Sequence, residues 1–272
     1  MIPKKIHYCW FGENEMPDIL KKCVGTWKKH CPDYEFILWN ESNFDINSVD
    51  FVKEACSVKK YAFASDYVRL FALYTQGGIY FDTDVVVKTN LDKFLDSGFF
   101  TSVENAETPL KEPNKIYLFE DGTTMQIIGG LGFLAAVMGS EPKHPFLKDC
   151  LEWYENKHFI LPDGKYTDFI LSPDIYATIA CRYGFRYKNE KQKLSNNMVI
   201  FDSEVFATNV LKATKNSAAI HIGCGSWREK TFFAKLKKNN LIKIIIKNDF
   251  IRKLFGKGKF IEQDLFDYAQ NI

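Results

Sequence analysis

The chain has 272 residues, 46% of them hydrophobic and 15% aromatic, enough to enclose a large core in one or two domains. A formal net charge of +2 is too balanced for a protein devoted to nucleic acid, and seven cysteines without a CxxC pair read as reduced thiols, not as a disulfide framework or zinc site. The first six residues lack the apolar core of a signal peptide and no apolar run reaches membrane-spanning length, so a cytoplasmic protein is expected.

Residues 5–11, KIHYCWF, form a short aromatic and β-branched run closed by Gly12, which suits a first buried strand. A helix follows over residues 17–30 with Pro17 in its first turn, then a strand over 34–39 after the turn Cys31-Pro32-Asp33. The next helix, 61–76, is apolar on nearly every side and is interrupted chiefly by Ser65, Asp66 and Arg69. Asp66 and Arg69 are three apart and project from one face, where they can meet. A buried carboxylate and guanidinium are costly unless paired or given a polar ligand, so this polar stripe reads as the wall of a site.

Gly77 and Gly78 end that helix, and residues 79–87 read as one strand that is apolar at almost every position except Asp82 and Asp84. Residues i and i+2 of a strand face the same way, roughly 6 to 7 Å apart, and Tyr80 shares that side. Two carboxylates so placed repel unless a cation or a donor-rich ligand lies between them. Hard oxygens select Mg²⁺ or Mn²⁺, ions that share their sphere with ligand phosphates, so a metal and phosphate site is expected at the strand end. Alternating strands and helices predict an α/β fold with a largely parallel sheet covered on both faces, whose ligands gather beyond the carboxyl ends of the strands. Trp10 falls at such an end, where it either stacks on a base or fills core; His7 reads as a structural histidine.

Residues 91–124 are irregular apart from a strand over 99–103. The glycines of Ile128-Gly129-Gly130-Leu131-Gly132 precede an apolar strand over 133–137, and mark either a close backbone approach to a ligand or a bend. Pro145 opens a helix over 145–157, and Ser172-Pro173 opens another with the serine as N-cap, a helix end that is either a plain cap or faces a phosphate or an acceptor hydroxyl. Later strands are expected over 198–202 and 218–222. Beyond Trp227, basic residues are interleaved with apolar ones to residue 259, a pattern that suits either a helix pair packed on the domain or a basic stretch lying on an anionic membrane.

The run Ala64-Ser65-Asp66, Arg69, Leu73, Gly77-Gly78-Ile79-Tyr80, Asp82-Thr83-Asp84 resembles the DXD-containing sugar-binding region of family 32 glycosyltransferases and, more distantly, of the glucosylating clostridial toxins. The opening Ile2-Pro3-Lys4, Ile6-His7 and Trp10 matches the same family, as does His221 with Ser226-Trp227 near the end. The resemblance implies a GT-A type, Rossmann-like domain over residues 1–227 with a basic helical extension over 228–272. It implies a Mn²⁺ or Mg²⁺ ion held by Asp82, Asp84 and His221. Donor contacts would come from Trp10, Ser65, Asp66, Arg69, Tyr80, Asp82, Ser226 and Trp227, with Asp66 and Arg69 as the catalytic pair at the reacting sugar. The implied reaction is retaining transfer from a nucleotide diphosphate sugar, UDP-linked by family habit, to a glycan or lipid-linked glycan in surface polysaccharide synthesis. Its expected setting is the cytoplasm, with the basic tail on the inner face of the cell membrane. Two rival readings stand beside it. Asp82-Thr83-Asp84-Val85-Val86 also fits the nucleophile loop of haloacid dehalogenase-like phosphatases, although no later acidic pair follows. A non-catalytic nucleotide-sugar binding protein would likewise keep every polar position filled.

Overall fold

The chain alternates strands and helices in its first third. β1 (Lys5–Cys9), α1 (Asp18–His30), β2 (Glu35–Trp39), α2 (Asp50–Ser57), α3 (Tyr61–Gln76) and β3 (Gly78–Phe81) follow one another, close to the expected bounds save for α2, which was not anticipated. They come from a computed structural model that describes residues 1–105, 115–118, 122, 124–128, 130–167, 170–224 and 261–272. β4 (Val85–Val87), β5 (Phe99–Asn105), the hairpin β6 (Lys115–Leu118) and β7 (Thr124–Ile127), β8 (Leu131–Phe133) and β9 (Val137–Ser140) come next. α4 (Pro145–Glu155), α5 (Ser172–Ala180), β10 (Gln192–Leu194), β11 (Met198–Phe201), β12 (Phe206–Ala207), β13 (Ala219–His221) and a last helix α6 (Ile261–Asn271) complete the order.

The main sheet runs β10-β11-β5-β9-β3-β1-β2, with β8 paired to β5. β1, β2, β3, β5 and β11 point the same way while β9 and β10 oppose them, so the sheet is mostly parallel with an antiparallel strand interposed between β3 and β5. Side chains alternate between two cores, as the pleat requires: Ile79 and Phe81 pack with α1 on one face, and Tyr80 packs with α2 to α5 on the other. Gly78 has φ +113, and a Cβ there would come within 2.8 Å of the Lys5 carbonyl, so glycine is what lets β3 begin flush against β1.

The single strand expected over residues 79–87 is split in two. β3 ends at Phe81, and Val85 N–H donates to the Asp82 carbonyl at 3.1 Å to close a turn. β4 then joins a separate three-stranded sheet, β12-β13-β4. The break is invisible in hydropathy because Val85, Val86 and Val87 are as buried in the second sheet as β3 is in the first. Helix α1 serves as the missing neighbour of β4: Trp27 Nε1 donates to the Val85 carbonyl at 2.7 Å, and Val87 N–H donates to Thr26 Oγ1 at 2.9 Å. Buried backbone groups must be paired, and here a helix pairs the edge of a strand. The strand expected over 133–137 is also divided, by a turn between β8 and β9.

The last helix lies on the same small sheet. Ala269 is fully buried in a cluster with Cys23, Val86, Ile220 and Ile222, joined by Leu265, Phe266 and Tyr268. Residues 261–271, read from the sequence as part of an extension beyond Trp227, thus share a core with the strands that carry Val86 and Ile220.

Candidate active site

The polar stripe on α3 meets as its spacing predicts. Asp66 and Arg69 are 8% and 4% exposed, and Arg69 Nη2 lies 2.8 Å from Asp66 Oδ1 and 3.3 Å from Asp82 Oδ1. The rest of the guanidinium is spent on main chain: Nη1 donates to the Ala135 carbonyl at 2.9 Å and Nε to the Ser65 carbonyl at 3.2 Å. Its carbon sits 4.8 Å above the centroid of the Tyr80 ring. Such saturation of a buried cation by fixed acceptors makes Arg69 a rigid fork. Burial pushes the Asp66 carboxyl up to about 6 against the pull of Arg69 and the Ser172 hydroxyl. Burial also disfavours charge on Arg69, but Asp82, Tyr80 and Asp66 hold it well above its ordinary value, fully cationic.

The turn that breaks the strand sets the two aspartates at the junction of the two sheets. Asp82 N–H donates to the Ala136 carbonyl at 3.0 Å, and Tyr80 OH donates to Asp82 Oδ1 at 2.9 Å. Tyr80 is 1% exposed, so it supports Asp82 from within the core. Opposite, β13 pairs with β4 in the register His221↔Val85, which carries the imidazole alongside the turn. His221 Nε2 lies 3.1 Å from Asp84 Oδ1, and the Cys224 N–H donates to Asp84 Oδ2 at 2.8 Å. Gly223, at φ +65, gives the backbone the left-handed step between Ile222, whose N–H donates to the Asp84 carbonyl, and Cys224. Burial lowers the His221 pKa in principle, but the Asp84 carboxylate outweighs it and raises it to about 9. Burial likewise opposes the Asp84 charge, yet His221 and the Cys224 amide bring its pKa below the usual value.

Asp82, Asp84 and His221 each present a ligand atom within 4.8 Å of the others. Two carboxylate oxygens and an imidazole nitrogen, partly open to solvent, fit a divalent ion of the Mg²⁺ or Mn²⁺ type. The ion pairs of the two aspartates among the described residues are with Arg69 and His221 and not with a lysine, unlike the phosphatase arrangement.

The other residues singled out from the sequence fall in varied places. Trp10 is half-buried at the carboxyl end of β1, outside the core, with Nε1 donating to the Asn14 carbonyl at 2.6 Å. Ser65 turns its hydroxyl back to the Tyr61 carbonyl at 3.0 Å and contributes to the site through its own carbonyl, which orients Arg69. His7 is structural: buried, it accepts from Trp39 Nε1 at Nδ1 and bonds the Gly77 carbonyl through Nε2, and burial drops its pKa to about 4. Gly132 is close against Pro173, where a Cβ would meet that residue at 3.1 Å, so this glycine serves the packing of α5 on β8. Ser226, Trp227 and the basic segment 228–259 lie outside the described residues. Trp27 and Tyr176 carry no site role in the sequence reading, and Ser172 reads there as a helix cap, although each touches the frame of the site.

The family described as a glycosyltransferase sugar-binding region containing a DXD motif matches residues 17–100, from α1 to the start of β5. This stretch is similar to that sugar-binding region. It contains Trp27, Asp66, Arg69, Tyr80, Asp82 and Asp84; Trp10, Ser172 and His221 come from outside it. Inositol phosphoceramide mannosyltransferase 3 of Schizosaccharomyces pombe is 39% identical over 102 residues, covering 35% of this chain and 27% of that protein. Inositol phosphoceramide mannosyltransferase 1 of the same yeast is 27% identical over 161 residues, covering 55% and 42%. An uncharacterized glycosyltransferase, L373, of Acanthamoeba polyphaga mimivirus is 29% identical over 151 residues, covering 53% and 52%. The chain therefore spans between about a quarter and a half of these relatives. Among solved structures, the PaToxG glycosyltransferase aligns with TM-score 0.44 at 17% identity over 66% of this chain and 69% of that one. The galactosyltransferase LgtC, in complex with donor and acceptor sugar analogs, aligns with TM-score 0.39 at 16% identity over 82% and 87%.

Proposed function

We propose that the protein is a metal-dependent, retaining glycosyltransferase that takes a sugar from a nucleoside diphosphate sugar and passes it to a hydroxyl of a glycan or lipid-linked acceptor. The observation that carries this reading is the convergence of the Asp82/Asp84 turn with His221 within 4.8 Å, inside a chain whose sugar-binding region covers that turn. A divalent ion held by Asp82, Asp84 and His221 would supply positive charge against the further negative charge that develops on the departing nucleoside diphosphate as the anomeric C–O bond breaks. The chain's own residues do the rest. Arg69 and Tyr80 hold Asp82 in one orientation, the Cys224 amide holds Asp84, and Asp66 is offered to the hydroxyls of the donor sugar. Trp10, half-buried at the carboxyl end of β1, stacks on the base, and Ser226-Trp227 contact the diphosphate.

Membership of family 32 and a part in surface polysaccharide synthesis belong to the same proposal. The yeast relatives are named for mannosyl transfer to inositol phosphoceramide, which supports a lipid-linked acceptor and adds GDP-mannose to the UDP-hexoses as a candidate donor. The basic segment 228–259 engages an anionic membrane in this reading, each cation near the surface contributing about 1 kcal/mol. Co-sedimentation with phosphatidylserine vesicles at low salt tests that part; no binding there would remove it. Among the described residues no helix is long and apolar enough to cross a membrane. The reaction is tested by incubating the protein with UDP-glucose, UDP-galactose, UDP-N-acetylglucosamine and GDP-mannose, each with and without Mn²⁺. Release of nucleoside diphosphate from one of them, dependent on Mn²⁺, is expected; hydrolysis of a generic aryl phosphate with no nucleotide-sugar turnover would support the phosphatase reading instead. Calorimetric binding of a nucleotide sugar without turnover would support a binding protein.

A further inference from the structure

Helix α5 directs two hydroxyls, one turn apart, at a single residue of α3. Ser172 Oγ donates to Asp66 Oδ1 at 2.8 Å, and Tyr176 OH donates to the Asp66 carbonyl at 2.7 Å. Both are buried, at 5% and 0% exposure. Ser172 had the look of an N-cap, but the cap position belongs to Leu171, which makes no side-chain cap bond, and the Ser172 hydroxyl is spent on the carboxylate of another helix. A buried serine at a helix start that caps nothing and instead grips a site carboxylate calls for a different role.

The geometry around Asp66 suggests what that role is. An arginine commonly meets a carboxylate through two nitrogens, but in Arg69 Nη1 is held by the Ala135 carbonyl, so only Nη2 reaches Asp66, and it reaches Oδ1. Ser172 reaches the same oxygen. Among the described residues Oδ2 has no partner, and the Asp66 side chain keeps 12% exposure. The terminal torsion of an aspartate is soft and roughly two-fold; one donor would let the carboxylate pivot, whereas two, one from α3 and one from α5, fix it. The same Nη2 also touches Asp82, so the orientation of Asp66 is tied to the metal-binding turn.

We propose that Ser172 is a positioning residue that pins Asp66 through Oδ1, so that Oδ2 meets one hydroxyl of the donor sugar and the site selects its sugar partly through α5. This rests on the glycosyltransferase reading above. A site built around a substrate hydroxyl discriminates by leaving its own polar group unpaired when that hydroxyl is absent or misdirected, and a displacement of about 1 Å costs on the order of a hundredfold in rate.

The test uses the full chain with Ser172→Ala and Ser172→Thr. The probes are whichever of the four nucleotide sugars the wild type turns over, its monodeoxy analogues, and the free nucleoside diphosphate with Mn²⁺. Ser172→Ala is expected to lower kcat/KM for the intact donor by about ten- to a hundredfold. For the analogue lacking the hydroxyl that Asp66 contacts, the loss should be less than about threefold, as a double-mutant cycle requires when the partner is already gone. Affinity for the free nucleoside diphosphate, read by calorimetry, should not change, and Ser172→Thr, which keeps the hydroxyl, should recover most of the loss. Equal losses on every analogue, with a parallel fall in nucleoside diphosphate affinity, would show Ser172 to be general packing and overturn the proposal; so would a Ser172→Ala enzyme indistinguishable from wild type. If the wild type itself turns over no nucleotide sugar, the transferase reading fails and this proposal falls with it, whereas an indifferent Ser172→Ala in an active enzyme sinks the role of Ser172 alone.

Discussion

In the metal-free protein the site for a divalent ion is closed by a proton. Asp84 raises the His221 pKa to about 9, so at neutral pH the imidazole is an imidazolium paired with Asp84 at 3.1 Å, and an ion can use its nitrogen only by displacing that proton. At pH 7 the displacement lies about two pKa units uphill, about 2.7 kcal/mol or a hundredfold in apparent affinity relative to pH 9. Isothermal calorimetry with Mn²⁺ at pH 6.5, 7.5 and 8.5, in two buffers of different ionisation enthalpy, should show about one proton released per ion and an affinity rising about tenfold per pH unit. Asp84, held below the usual carboxylate range, adds no proton of its own in that window. His221→Gln should bind more weakly and lose both the proton release and the slope. The same shift acts on folding: a histidine raised above its unfolded value stabilises the metal-free protein fully below about pH 6.5 and ceases to as pH rises through about 9, by on the order of 3 kcal/mol. Melting temperature without metal should therefore fall across that interval. A Mn²⁺ affinity that is flat with pH and releases no proton would refute this account of His221.

Two further substitutions probe the frame. Arg69→Lys keeps the charge but cannot serve the Ser65 and Ala135 carbonyls together with Asp66 and Asp82, so donor kcat/KM should fall by about a hundredfold while circular dichroism stays native; wild-type kinetics would contradict the positioning role. Trp27→Phe leaves the buried Val85 carbonyl without its donor and should lower the denaturation free energy by about 1–3 kcal/mol and weaken Mn²⁺ binding, both measurable in one urea titration with and without the ion.

The parts of the site that the sequence disclosed are those set by local spacing. Asp66 and Arg69 meet because they are three apart on one helix, and Gly77-Gly78 had to end that helix before a buried strand. The aspartates were read correctly as neighbours but on the wrong scaffold, since an unbroken apolar run cannot distinguish one strand from two that are buried in different sheets. What stayed hidden was long-range: Trp27 reaches Val85 across 58 positions, Ser172 reaches Asp66 across 106, and the Cys224 amide reaches Asp84 across 140. A serine before a proline looks like a cap, and a tryptophan on an amphipathic helix looks like core, because only tertiary packing decides whether a polar atom has a distant partner. His221 was recognisable from its resemblance to a family element, and not from any property of a lone histidine.

Whether acidic groups from the turn after β3 serve a nucleotide-sugar reaction is decided most directly by Asp84→Asn. This change keeps the size of the side chain and removes the charge that pairs with His221 and would bind the ion. With the nucleotide sugar that the wild type turns over, Mn²⁺-dependent release of nucleoside diphosphate is expected to fall by about a hundred- to a thousandfold, the scale of losing a group that stabilises developing charge. Turnover by Asp84→Asn at the wild-type rate, or turnover by the wild type that persists in excess chelator, would contradict the account.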